Sequence, residues 1–321
     1  MAKYILKRIL FMVLILLGVS MILYALLRCM PTSFIDVKLQ ALTQNDSSVA
    51  AELRAKLEAA YGLDKGIVAG YIAWLGNILK LDFGTSFLSQ REVLSDIFKA
   101  DRIGTSFVVA LIATVFEFMI AIPLGITAAT HQYSIRDYVV TVLVLIGISL
   151  PSFFFARILQ DVFANKLGWF AVSGMPMDRT ESYFKYLTLP IVTVVILSIG
   201  GRMRLTRTNM LEVLNADYIR TARAKGLKER KVIYKHAFRN TLIPIVTGLA
   251  GLIPSLFSGA MITEQVFNLT GIGNYALTAM MQGDIPVIMT YNMFLAFLSV
   301  VGVLLSDLMY GIVDPRVKLT A

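Results

Sequence analysis

The 19 residues from Ile9 to Leu27 carry no charge, and further long apolar stretches recur to the end of the chain. A bilayer core takes roughly 20 helical residues to cross, and backbone in lipid must satisfy its own hydrogen bonds, which confines such segments to helices. The expectation is an all-α, polytopic membrane protein with six transmembrane helices, near 9–30, 105–129, 139–163, 187–204, 241–263 and 286–308. The fourth is the weakest, since its uncharged core from Leu187 to Gly201 has 15 residues. A hydrophobic content of 57% in 321 residues agrees, being more apolar surface than a soluble core of that size hides.

The distribution of cations sets the orientation. With the N-terminus inside, the cytoplasmic side holds 17 Lys and Arg and the outer side 12, and 11 of the 17 lie between Arg202 and Arg239. Short loops decide this rule, so both termini are expected in the cytoplasm of a cell (inner) membrane protein. The same rule accounts for the net charge of +9 without nucleic acid. The lone cysteine, Cys29, excludes an intrachain disulfide and a cysteine metal cluster. Arg28 before it, and no small-x-small site after the first apolar run, make that run a retained span rather than a removable signal or a lipoprotein leader.

Three regions follow: 1–30, the first transmembrane helix; 31–104, an extracytoplasmic loop region; and 105–321, a core with five further transmembrane helices and a cytoplasmic loop at 205–240. The long first outer loop exceeds a simple connection. Within it Val49, Leu53, Leu57 and Ala60 recur at helical spacing, with caps between Asn45 and Ser48 and Gly62 as the stop. From Ile67 to Leu81, Tyr71, Trp74, Leu75 and Ile78 share a face suited to a helix lying against the membrane interface. The reading is a packed cap on the outer helix ends rather than a dedicated binding surface.

The cytoplasmic loop is the most specific stretch. Asp217 is a good N-cap, the residues to Lys225 form helix readily, and Gly226 can close it in a left-handed conformation before a second helix near Lys228. The first helix offers Tyr218, Ile219 and Ala222 beside Arg220, Arg223 and Lys225, a surface that could seat in a groove of another protein. A basic loop against anionic headgroups is the alternative.

Catalytic patterns are missing. No G-x-x-x-x-G-K-[ST] phosphate loop, H-E-x-x-H or G-x-S-x-G occurs, and the two histidines, His131 and His236, are far apart. Polar groups inside the spans are Glu117, Arg157, Gln160, Asp161 and Asp307. A charge at mid-bilayer costs roughly 2.5–3.5 kcal/mol on insertion scales, so Glu117, Arg157 and Asp161 are candidates for a water path or an interhelix contact. Arg157 and Asp161, four apart, could pair with each other, and Asp161 and Asp307 lie near span ends.

The run Asp217-Tyr218-Ile219-Arg220-Thr221-Ala222-Arg223-Ala224-Lys225-Gly226-Leu227, followed by His236-Ala237-x-Arg239-Asn240-x-Leu242-x-Pro244, resembles the EAA loop of ATP-binding-cassette importer permeases of the dipeptide and oligopeptide (nickel) branch. Gly62 to Lys65, Asp82-Phe83-Gly84-x-Ser86-Phe87, Ser149-x-Pro151-Ser152-Phe153, Leu167-Gly168-Trp169, Glu264-x-Val266-Phe267-x-x-x-Gly271 and Asp314-Pro315-Arg316 extend the resemblance almost end to end. Departures are Pro31-Thr32-Ser33-Phe34 for P-G-D-P, Asp101-Arg102-Ile103-Gly104-Thr105 for R-L-P-x-T, and Thr270-Gly271-Ile272-Gly273 for P-G-x-G.

The resemblance implies a B-type permease subunit forming half of a translocation pathway for di- or oligopeptides; nickel, glutathione and sugar systems use similar chains. It implies as partners a second (C-type) permease subunit, two ABC ATPase subunits that bind ATP and Mg, and an extracytoplasmic substrate-binding protein, with no cofactor in this chain and no enzymatic role. Asp217, Tyr218, Arg220, Thr221, Ala222, Arg223, Lys225, Gly226 and Leu227 would couple to the ATPase. The rival reading is an ion-coupled secondary transporter using Glu117, Arg157 and Asp161.

Overall fold

The computed structural model describes residues 2–30, 47–176, 181–247 and 251–313, and among them regular structure is helical. The Pro31–Phe34 and Asp314–Arg316 segments and the caps at Asn45 and Asp46 lie outside the described residues.

The first helix, α1 (Ala2–Cys29), ends under a cap built from α2 (Ser47–Tyr61), α3 (Ile67–Leu79) and α4 (Val93–Ile97). The apolar spacing of α2 buries Leu53 and Leu57 as expected, and Gly62 stops it at φ +60°. Trp74 of α3 is 3% exposed, stacked between Tyr24 (centroids 5.5 Å) and Tyr61 (6.0 Å). The face expected at the membrane interface therefore lies inside the cap, and the opposite face, Ile67, Val68, Ile72 and Leu79, is exposed. An indole at the interface leaves one edge wet, whereas three stacked rings bury far more apolar area. Arg28 seals the seam by donating to the carbonyls of Leu63 (2.8 Å), Gly62 (2.9 Å) and Lys65 (2.6 Å), which terminate α2.

Beyond the cap, α5 (Ala100–Thr130) runs beside α6 (Ile135–Ser149), which bends by 101° into α7 (Ser152–Leu159) and its π-helical extension, Gln160–Lys166. The predicted span 139–163 is thus a bent pair. Pro151 holds Leu150 in extended backbone (ψ 130°), so α6 cannot continue through it. The next helix, α8 (Tyr183–Leu214), runs ten residues past the expected end at 204. It packs closely on α5, where Gly125 lies so near Met203 and Thr206 that a Cβ there would meet them at 2.7–2.9 Å.

The chain then turns through α9 (Asp217–Ala224) and α10 (Glu229–Lys231), and a π-helical turn, Val232–Phe238, leads into α11 (Arg239–Thr247). Next come α12 (Leu252–Ser258), α13 (Met261–Val266) and α14 (Ile272–Gln282), and finally α15 (Ile285–Val313). The predicted span 241–263 is accordingly not one helix in its described residues, and Gly259 at φ +70° divides α12 from α13. Among the described residues four helices are long and apolar enough to cross a membrane: Leu6–Cys29 within α1, α5, α8, and Ile285–Asp307 within α15. The bent pair makes up to five. Asp307 meets Arg8 of α1 at 2.9 Å, which gives the acid near the span end a partner.

Candidate functional site

The loop after α8 is held from within. Ile219 and Ala222, one turn apart on α9, are buried against Ile126 and Ala129 at the end of α5, Met210 of α8, and Val232 and Ala237 of the π-helical turn. Leu227 packs beside them. This corrects the expectation that Ile219 and Ala222 face a partner. An apolar pair three residues apart on a polar eight-residue helix makes one narrow stripe, and the chain's own helix ends cover it.

What remains outside is polar and cationic. Tyr218 is 47% exposed, and Arg220, Thr221, Lys225 and Gly226 are exposed with it. Asp217 is the first helical residue rather than the cap: Ala216 takes the cap position, and the Asp217 side chain is almost wholly exposed. There it still sits at the positive end of α9, where a carboxylate is favoured. Gly226 adopts φ +70° and donates its N–H to the Arg223 carbonyl (2.9 Å), as expected, and a Cβ on it would meet no atom within 4 Å. Across this turn Arg223 grips Glu229 (2.7 and 3.2 Å) and holds its carboxyl below the ordinary carboxylate range. Sequence reading did not pair these two, six residues apart.

Not every cation in the region faces out. Arg207 forms a two-pronged pair with buried Asp137 at the start of α6 (3.0 and 2.8 Å), fixing the α6–α8 seam above the elbow. Arg202 pairs with Glu117 of α5 at 3.0 Å, its guanidinium 4.4 Å over the Phe118 ring. Arg202 therefore lies within α8, facing α5, rather than at the expected end of that helix. Glu117 and Arg202 line a cleft of about 450 Å³ between α5, α8 and α12, with Thr114, Ser198, Ser255 and Ser258 around it.

Arg157 and Asp161 do not join this cleft, and they do not pair with each other. Arg157 donates to Gln160 Oε1 (3.1 Å), while Asp161 is half-exposed and pairs with Lys166 at 2.6 Å. The π-helical register explains this: with i→i+5 bonding, Asp161 and Lys166, five apart, come to one face. Gln160 is buried and donates to the Val172 (2.8 Å) and Val266 (3.1 Å) carbonyls, so it ties α7 to α13. The three polar groups proposed for ion coupling are thus not one site. Among the described residues no group of three or more His, Cys, Asp or Glu could hold a metal.

Buried Glu264 is a residue whose part the sequence did not disclose. It accepts from Ser106 Oγ (2.7 Å) and Asn274 N–H (2.9 Å), and Gly271 lies so close that no side chain fits there. The Glu264-to-Gly271 spacing is therefore the outline of a carboxylate latch between α13, α14 and α5.

Residues 121–319 match a family described as the binding-protein-dependent transport system inner membrane component. The oligopeptide transport system permease protein AppB of Bacillus subtilis is 37% identical, covering 99% of this chain and 100% of its own. The dipeptide transport system permease protein DppB of the same organism is 33% identical over 99% of both chains. Among solved structures, the MetNI methionine ABC transporter in an inward-facing conformation shares the fold at TM-score 0.50 and 14% identity, covering 66% of this chain and 94% of the other.

Proposed function

The chain belongs to the family of binding-protein-dependent transport system inner membrane components, and from that premise we propose that it conducts di- or oligopeptides as half of an importer's pathway. It is a multi-pass inner membrane component. Its partners in this reading are a C-type permease subunit, two ABC ATPase subunits that bind ATP and Mg and carry out the hydrolysis, and an extracytoplasmic substrate-binding protein. Both termini and the 205–240 elbow lie in the cytoplasm, and the 31–104 region caps the outside. The peptide assignment rests on the AppB and DppB relatives.

The observation that carries the coupling role is the division of α9 into an inner stripe sealed in the chain's own core and an outer face left cationic and aromatic. A helix clamped on one side transmits a push on the other to α5 and α8, into whose ends it is packed. Tyr218, Arg220 and Lys225, with Gly226 shaping the turn, meet the ATPase directly. Ala222 and Leu227 serve coupling from within by anchoring the helix. Asp217, Thr221 and Arg223 hold its shape, the Thr221 hydroxyl through the Asp217 carbonyl at 3.0 Å.

Mild-detergent co-purification of the tagged chain from its native membranes, with mass spectrometry, tests this. Recovery of a second permease and P-loop ATPases is expected. Recovery of the chain alone, under conditions that keep other membrane complexes together, overturns the reading.

A further inference from the structure

We propose that Arg202 is the residue of the pathway that reads the cargo's carboxylate, held in position by Glu117. The inference rests on the peptide-importer reading above and names a group on the cargo that the pathway recognises.

Besides Glu117 and Arg202, the polar side chains lining the cleft between α5, α8 and α12 are hydroxyls, of Thr114, Ser198, Ser255 and Ser258. Ser198 donates to the Val194 carbonyl (2.6 Å), Ser255 to Leu252 (2.7 Å) and Ser258 to Ser255 (3.3 Å), so these hydroxyl donors are spent on their own helices. Such a wall has little to offer a particular side chain. The exception is Glu117 with Arg202, both lining the cleft. Arg202 donates Nε–H to Glu117 Oε1, and among the described residues no hydrogen bond is made by its Nη1 or Nη2. A guanidinium presents five donors in a planar fork that matches a carboxylate, and four of them here remain for a ligand.

Holding α5 to α8 does not require this pair. Gly125 already brings α5 and α8 to close approach, and α8 is held separately to α6 by the two-pronged Asp137–Arg207 pair. A buried ion pair is rarely more stabilising than apolar residues of equal volume, so a buried Glu–Arg pair between two helices apolar enough to cross a membrane calls for another use. Peptides of differing sequence have few groups in common, and a C-terminal carboxylate is one of them. Glu117 orients the guanidinium through Nε and offsets its charge while the cleft is empty. The Phe118 ring under the guanidinium keeps the fork planar to its target.

The test uses the importer reconstituted in liposomes with its partner subunits and binding protein. The ATP-driven uptake rates of trialanine and of trialaninamide, which lacks the carboxylate, are measured and their ratio taken. The same binding protein serves every variant, so its own preference cancels when ratios are compared. Arg202→Gln is expected to lower the acid-to-amide ratio about tenfold or more, the scale of a lost charge-assisted pair. Since Arg202→Gln leaves Glu117 buried without its partner, the double variant Glu117→Gln with Arg202→Gln is measured too, with the same fall expected. Glu117→Gln alone, whose amide oxygen still accepts the Nε–H, is expected to lower the ratio less than Arg202→Gln does. An unchanged ratio in the double variant, with both peptides still taken up, overturns the inference and leaves the importer intact. A fall with Glu117→Gln as large as with Arg202→Gln also overturns it, because the pair and not Arg202 would then be reading the cargo. Failure of the wild-type importer to take up either peptide, with its ATPase active, instead removes the peptide reading on which the inference stands.

Discussion

The cap and the elbow are both short helices attached to the ends of membrane helices, yet they satisfy themselves differently. In the cap, the buried apolar and polar groups are closed internally, while one face of α3 (Ile67, Val68, Ile72 and Leu79) stays exposed. Trp74 lies between two tyrosines, and Arg28 spends its guanidinium on three carbonyls. Asp284, at the foot of α15, takes Ser86 Oγ (2.6 Å) and the Phe87 N–H (3.1 Å), and Asp96 is surrounded by Lys99, Arg102 and Tyr275. In the elbow only the inner stripe is closed, and the outer face leaves Arg220 with 74% of its side chain exposed beside an Asp217 3.8 Å away. Buried contacts are thus concentrated in the first region, and exposed cations in the second.

The largest effect on folding is expected in the cap. Trp74→Ala removes the ring on which Tyr24 and Tyr61 stack, and a cost of about 3–5 kcal/mol follows for an aromatic truncated in a closed core. Thermal unfolding of the purified chain in detergent measures it. A loss below about 1 kcal/mol, the range of ordinary surface changes and small adjustments, would erase the distinction between the two regions.

Asp96 comes next. Burial alone would raise its pKa, but the Lys99 cation, the Tyr275 hydroxyl and the Arg102 guanidinium beside it overcome this and hold the carboxyl well below the usual range. The Tyr275 phenol, half-buried and bonded to Asp96, is pushed up to about 12. Asp96→Asn is expected to cost about 2 kcal/mol, in the range for hydrogen bonds to a charged group. A folded pKa below the unfolded value of about 3.9 means the contribution is complete above that value and is lost as pH falls through the folded pKa. The gap between wild type and Asp96→Asn should therefore stay constant from pH 8 to pH 5 and narrow only in stronger acid. Asp284 has the opposite sign: burial raises its pKa, so the folded state holds that proton more firmly and gains stability as pH falls through the raised value. Narrowing of the Asp96 gap already near neutral pH would show that its cations do not act on it.

How far these regions were legible beforehand follows the same division. The spacing Leu53–Leu57 and the stop at Gly62 were readable because periodicity and a left-handed glycine are local properties, and so was the turn at Gly226. The membrane class was readable from apolar run length alone. Breaks inside apolar stretches were not: a 101° bend at Pro151 and the division at Gly259 leave hydropathy unchanged. The supposed Arg157–Asp161 pair failed because i, i+4 spacing assumes α-helical register, and the chain widens to π at Gln160. Arg202 was hidden by counting it among cytoplasmic cations, since only the packing of α5 on α8 brings Glu117 to it. Even in the elbow, the pattern identified the segment but assigned Ile219 and Ala222 to the wrong side.

Within the elbow, Gly226→Ala is expected to cost about 1 kcal/mol, because the space around it is open and only the left-handed backbone is penalised. Gly226→Trp carries a similar backbone cost with a bulky ring added at the proposed docking turn, so uptake should cease while the subunit stays in the membrane at normal abundance. Trp uptake equal to Ala uptake would mean that nothing approaches this turn.

The smallest effect on folding is expected at Tyr218, and there the contrast between the regions is sharpest. Half-exposed on the outer face of α9, its ring is absent from the buried stripe formed by Ile219 and Ala222. Tyr218→Ala should change stability by less than about 0.5 kcal/mol, as surface substitutions do. A docking surface concentrates binding energy in a few aromatic and arginine side chains, and truncating one such anchor costs about 2 kcal/mol or more of association. ATPase subunits should therefore co-purify with the Tyr218→Ala variant far less than with wild type, at an unaltered unfolding temperature. Trp74→Ala is the converse, losing stability first and partners only as the fold is lost. A Tyr218→Ala variant that retained its ATPase subunits fully would place the docking energy in the cations alone. Raising the salt concentration would then strip the ATPase subunits from the wild-type complex, because exposed charges more than a Debye length apart are screened and a buried aromatic anchor is not.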